Sequence, residues 1–187
     1  MKRFLAILFV VAGMTFASST AFAQMMKENP MVGGAAMYPS KTIVANAMNS
    51  ADHTTLVAAV KAAGLVDTLN SKGPFTVFAP TNAAFDQLPA GIVDNLLKPE
   101  NKSMLTKVLT YHVVTGKYDS KALALLIKKG HGRGRLKTVS GDSLTIMMDG
   151  GNIVLRDKKG GTSTVTTADV YQSNGVIHVV NAVLLPN

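Results

Sequence analysis

The chain has 187 residues, 47% of them hydrophobic, with no cysteine and a formal charge of +8. The missing cysteines exclude disulfides, thiol catalysis, Cys-ligated zinc and iron–sulfur clusters. Two glutamates in total leave little material for paired-carboxylate catalysis, and the absence of tryptophan removes the best stacking platform for bases or sugars.

Residues 1–23 read as a secretory signal peptide. Lys2-Arg3 is the positive start, Phe4 to Met14 the short apolar run, and Ala21-Phe22-Ala23 the small-x-small cleavage site. Cleavage leaves 164 residues, the size of one domain, and losing Lys2 and Arg3 lowers the charge from +8 to +6. The expected location is secreted or periplasmic. No later apolar run reaches membrane length. A basic exported protein is drawn to anionic surfaces, and nucleic acid is not the expected partner in that compartment.

Residues 24–39 are expected as a flexible or extended N-terminal arm, punctuated by Pro30, Gly33-Gly34 and Pro39. Its thioethers, Met25, Met26, Met31 and Met37, are soft ligands that favour copper(I), although no histidine accompanies them in sequence. The alternative is that the arm packs Val32, Met37 and Tyr38 on the domain.

Residues 41–70 carry helical periodicity. Ile43, Val44 and Ala47 form one face, Asp52 is the expected N-cap of a second helix, and Gly64 ends it before a short third turn at Leu65, Val66 and Leu69. The stretch 73–89, GPFTVFAPTNAAFDQLP, packs a strand, a corner and a helix start together. Phe75 to Ala79 suit a buried strand, Pro80 stops the ladder, and Thr81 or Asn82 caps the next helix. Ile92, Val93, Leu96 and Leu97 repeat at helical spacing up to Lys98-Pro99. Met104, Leu105, Val108 and Leu109 mark another helix, read as running into a strand at Tyr111-His112-Val113-Val114.

Residues 119–127 fit a helical turn or a strand. The segment 128–137, KKGHGRGRLK, is expected as a mobile glycine-rich loop. Lys128, Lys129, Arg133, Arg135 and Lys137 make it the candidate anion-binding loop. It lacks the closing Gly-Lys-Ser/Thr of a phosphate-binding loop. Beyond residue 136 the period falls to two, with turns at 149–152 and 157–161. Thr162 to Val170 reads as a strand, and Val176 to Leu185, apolar on both faces, as a central one. Helices followed by strands give an α+β fold, with helices packed on a largely antiparallel sheet. His112 and His178 read as satisfied core histidines in strands, and no Gly-x-Ser-x-Gly elbow is present.

Three blocks, in order, resemble the fasciclin domain. They are GPFTVFAPTNAAFDQLP, the pair Tyr111-His112 followed by Val113-Val114, and the stretch from Asn174 to Pro186. The resemblance covers roughly residues 40–187, the expected domain. It implies a compact β-sandwich or wedge of about seven strands with N-terminal helices packed on it. It also implies a non-enzymatic adhesion module without cofactors. In animal members of the family integrin contact is attributed to the Tyr-His motif, here Tyr111 and His112 with Val108, Leu109, Val113 and Val114 beside them. A second family motif, an Asp-Ile pair, maps to Asp169 and Val170, so the isoleucine is missing, as is a preceding Glu-Pro. That departure argues against integrin-type binding, and the flanking aliphatics make Tyr111 and His112 architectural first. The expected function is an exported interaction module for a cell-surface or matrix protein or an anionic glycan. The alternatives are a polyanion binder acting through the basic loop and a metal-handling protein acting through the methionine arm.

Overall fold

The structure, a computed structural model, describes residues 29–186. The expected signal peptide, Met25 and Met26 lie outside the described residues. The chain opens with a small hairpin, β1 (Met31–Val32) and β2 (Ala35–Ala36), which buries Val32 and Met37 and leaves Tyr38 43% exposed under the Lys41 ammonium. Helix α1 (Ile43–Ala47) is capped by the Thr42 hydroxyl, which accepts from the Ala45 amide. A 3-10 turn (Ala51–His53) then leads into α2 (Thr54–Ala63), closed by Gly64 in the left-handed conformation, and into α3 (Val66–Asn70).

Asp52 is not the cap of α2. It lies within the 3-10 turn, and the free amide of Thr55 is met by Asn82 Oδ1 at 3.0 Å. The block 73–89 therefore supplies that cap from outside the helix. Within the block, β3 (Phe75–Pro80) ends at its proline, and Thr81 caps α4 (Asn82–Asp86) by accepting from the Ala84 amide. Next come α5 (Ile92–Leu97) and α6 (Lys102–Tyr111). Tyr111 and His112 are thus the last turn and cap of a helix. The strand read at 111–114 is confined to β4 (Val113–Thr115). The His112 amide closes the last turn onto the Leu109 carbonyl at 3.1 Å, and the His112 ring reaches back to the Val108 carbonyl.

Helix α7 (Ser120–Lys129) resolves the ambiguity at 119–127, with Leu123 and Ile127 buried and the Asp119 carboxylate capping it from Ala122 N at 2.8 Å. The remaining strands are β5 (Arg133–Lys137), β6 (Ser143–Asp149), β7 (Asn152–Arg156), β8 (Thr162–Gln172) and β9 (Gly175–Val180). The seven-stranded sheet runs β4-β3-β9-β8-β7-β6-β5. All its pairings are antiparallel except β3 with β9, which joins Phe75–Pro80 to Gly175–Val180 in parallel. A bridge between Val114 and Thr138 brings β4 to the end of β5, so the sheet curls almost shut.

The strand expected to run to Leu185 stops at Val180. Beyond it the backbone amides are received by side chains: Ala182 by Ser163 Oγ at 3.1 Å, Leu184 by His112 Nε2 at 3.0 Å and Leu185 by Asp157 Oδ2 at 3.2 Å. Two apolar clusters share the wall made by β3 and β9. Val77, Ala79, Ile177 and Val179 face the helices α1 to α6. Phe78 and Val180 face the interior of the curled sheet, where α7 contributes Leu123 and Ile127. Among the described residues no helix is long and apolar enough to cross a membrane.

Candidate functional site

The Tyr-His pair lies in the core. Tyr111 is 0% exposed, and its hydroxyl donates to the Ser143 carbonyl at 3.3 Å. Burial pushes its pKa up to about 12, with Asp157 adding to the effect. His112 is equally enclosed, edge-on to the Tyr111 ring at 6.4 Å. Its Nε2 accepts from the Leu184 amide, so Nδ1 must carry the proton and donate to the Val108 carbonyl at 2.9 Å. Burial pushes its pKa below the ordinary histidine value. Val108, Leu109, Val113 and Val114 are buried with it. No atom of this block is placed to touch a partner on the surface.

Asp169 and Val170 occupy an irregular stretch of β8, where the register against β9 shifts. Val170 is fully buried, and Asp169 has φ +61. The Asp169 carboxylate receives the Ser120 amide at 2.7 Å and the Ser120 hydroxyl at 2.5 Å, which pins the start of α7 to β8. His178 stacks on Phe78 at 5.6 Å and turns Nε2 to the Tyr118 carbonyl at 2.8 Å. Its other nitrogen faces the Asp169 amide at 3.4 Å. Ser120, His178 and Asp169 are neighbours, but the serine proton goes to the carboxylate and the imidazole is turned to backbone groups. This geometry activates no nucleophile.

The basic segment 128–137 is ordered differently from the expected loop. Lys128 and Lys129 end α7, where cations meet the negative end of the helix. After a turn through His131, the chain enters β5 with alternate residues exposed. Gly130 and Gly134 answer to packing, while Gly132 takes the turn at φ +95. A Cβ on Gly134 would stand 2.8 Å from Ile146 Cγ1 and 3.1 Å from Leu126 Cγ, and one on Gly130 would overlap the Arg133 carbonyl. Arg133, Arg135 and Lys137 therefore project from one face of a strand at a repeat of about 6.6–6.8 Å. Lys129, Arg133 and Arg135 also border an open hollow with Thr145. Among the described residues the one ion pair is Lys158 with Asp142 at 2.6 Å, so none of the five cations of the segment is matched by a carboxylate. The alternation Arg-Gly-Arg-Leu-Lys was the sign of this strand, masked in sequence by glycine density.

A separate apolar cavity of about 60 Å³ lies between the helices and β3, bordered by Val44, Leu56, Val60, Leu69, Val77 and Leu109. Its polar neighbour His112 has both ring nitrogens engaged, so it offers an apolar guest no orienting hydrogen bond. Of the methionine ligands read from the arm, Met31 is 62% exposed and Met37 is 2% exposed. Among the described residues no group of three His, Cys, Asp or Glu side chains could hold a metal ion.

An α+β wedge with a seven-stranded, nearly closed sheet, helices α1 to α6 on one side and its polar motifs turned inward defines a scaffold class. The fasciclin domain family model matches residues 51–186, and the chain belongs to that family. Protein sll1483 of Synechocystis sp. is 45% identical over 170 residues, covering 90% of this chain and 87% of the relative. The cell surface glycolipoprotein MPB83 of Mycobacterium bovis is 32% identical over 170 residues, 88% of this chain and 70% of the relative. Among solved structures, the FAS1 domain pair from the insect cell adhesion molecule fasciclin I superposes with a TM-score of 0.68 at 22% identity. That match covers 78% of this chain and 51% of the other.

Proposed function

We propose that this chain is an exported, non-enzymatic interaction module that holds an anionic cell-surface or matrix partner, protein or glycan, on the ridge formed by Lys128, Lys129, Arg133, Arg135 and Lys137. The observation that carries the reading is the set of exposed cations at the end of α7 and along β5, unmatched among the described residues, beside family motifs that are buried. Regularly spaced cations on a fixed backbone suit a repeating polyanion, because little side-chain order remains to be imposed on binding. A cell-surface relative at 32% identity supports the location.

Heparin-column retention tests the ridge. The unaltered chain is expected to elute at elevated salt, and Arg133→Glu with Arg135→Glu and Lys137→Glu to elute far earlier, since exposed charge contacts are screened by salt. Elution of the triple variant at the parent position removes the ridge as the contact. Recovery of the same envelope or matrix partners by parent and variant does likewise.

A further inference from the structure

Helix α6 carries more apolar surface than the core uses. Leu105 and Leu109 enter the cluster between the helices and the sheet, while Met104 and Val108, one residue before each, belong to neither cluster. They form an i, i+4 pair on a second face of the helix. Helix α5, packed against α6, repeats the pattern with Ile92 and Leu96, and of these two Leu96 alone reaches the core. The two stripes and the segment Leu185-Pro186 line one hollow of about 510 Å³. That is the size of a small-molecule site, about 300–1,000 Å³. Met104 is 59% exposed and Ile92 36%, so the apolar wall is open to solvent. Apolar surface gathered at one exposed place, rather than scattered singly, marks an interaction site.

The wall at Leu185 is fixed in advance. The Leu184 amide donates to His112 Nε2 and the Leu185 amide to Asp157 Oδ2, so little order remains to be imposed on binding. The charged side chains of the lining are Lys107 and Lys159, with no carboxylate among them. Asp142, near enough to Lys107 to feel its charge, is paired with Lys158 at 2.6 Å. Asp157 is turned to the amides of Leu185 and Gly161. An apolar trough with two cations in its lining fits a ligand with an aliphatic tail and an anionic head. Nine residues line it, too few for a protein partner, since a standard interface takes about 20–30 a side.

We propose that this hollow binds one molecule of a single-chain amphiphile, its aliphatic tail against Ile92, Met104 and Val108 and its anionic head on Lys107 and Lys159. The occupant is a free lipid monomer, of which a fatty carboxylate is the simplest, and not a bilayer surface. The site shares no residue with the basic ridge and stands or falls separately from it.

The test is calorimetric titration of the full chain with dodecanoate held below its micelle concentration. One equivalent is expected to bind, and dodecyltrimethylammonium, the same tail under a cation, to bind at least about tenfold more weakly. Met104→Glu, a change at an exposed position, sets a charge in the apolar trough and is expected to lower the affinity about tenfold. Lys159→Glu, in the turn between β7 and β8, is expected to lower it about fivefold. The ridge variant with Arg133→Glu, Arg135→Glu and Lys137→Glu is expected to bind dodecanoate as the parent does. No saturable binding, equal affinity for the two head groups, parent affinity in Met104→Glu and Lys159→Glu, or loss of dodecanoate binding in the ridge variant overturns the site. So does retention on phosphatidylglycerol vesicles without binding of the monomer, which would make the partner a membrane surface.

Discussion

Both ring nitrogens of His112 are committed to the backbone of other segments, and this decides what the residue does. It holds the carbonyl of Val108 and the amide of Leu184, 72 residues away. His112→Ala strands both, at about 1–3 kcal/mol for each buried group. Urea unfolding is expected to show a loss of roughly 2–5 kcal/mol, and a variant within 0.5 kcal/mol of the parent (about the noise of surface substitutions) would contradict the geometry. The buried histidines also set a pH dependence. Burial lowers the pKa of His53, His112 and His178 in the folded chain. Below the unfolded value of about 6.5 the unfolded chain then binds more protons than the folded one, so stability is present above that pH and falls as pH drops. The limit is about 1.4 kcal/mol per pH unit for each histidine. Melting temperatures measured from pH 7 down to pH 5 are expected to decline steadily, and a flat profile would mean that these rings titrate alike in both states.

Helix α7 shows how one element is placed from a distance. Its N-terminal amides are met by Asp119 from its own chain start and by Asp169 from β8. Asp169 sits at φ +61, which Asn tolerates and Ala resists. Asp169→Ala is expected to cost about 2 kcal/mol or more from the lost charged acceptor and the strained backbone, and Asp169→Asn distinctly less, measured as denaturation midpoints. Gly134→Ala tests whether the basic segment is a packed strand. Its Cβ has to displace Ile146 and Leu126, an overpacking cost of about 1–3 kcal/mol, whereas a mobile loop would accept alanine freely. These elements were unequally legible. Thr81 as a cap, Gly64 as a stop and the turn at Gly150-Gly151 are short-range chemistry, and all stand where the local pattern puts them. The helical end of Tyr111 and the outside cap on α2 depend on partners far along the chain. Charge and glycine in KKGHGRGRLK resembled a loop because the packing that requires Gly134 is made by residues of two other elements.

Across the whole molecule, β3 and β9 are the common wall of both apolar clusters. Phe78 fills one side while Val77 and Ala79 fill the other, so damage at this wall reaches both. Phe78→Ala is expected to lower stability by about 3–5 kcal/mol in a single cooperative transition, with far-UV and tyrosine signals coinciding. Separate transitions would mean that the two clusters melt independently. The parallel pairing of β3 with β9 has a consequence for synthesis. A growing chain has made every helix and six strands of the sheet before β9 emerges, and until then β3 and β8 have no neighbour in common. Without β9, the pair β4-β3 and the meander β8-β7-β6-β5 meet only at the bridge between Val114 and Thr138. The sheet is completed only when its final strand enters the gap between β3 and β8.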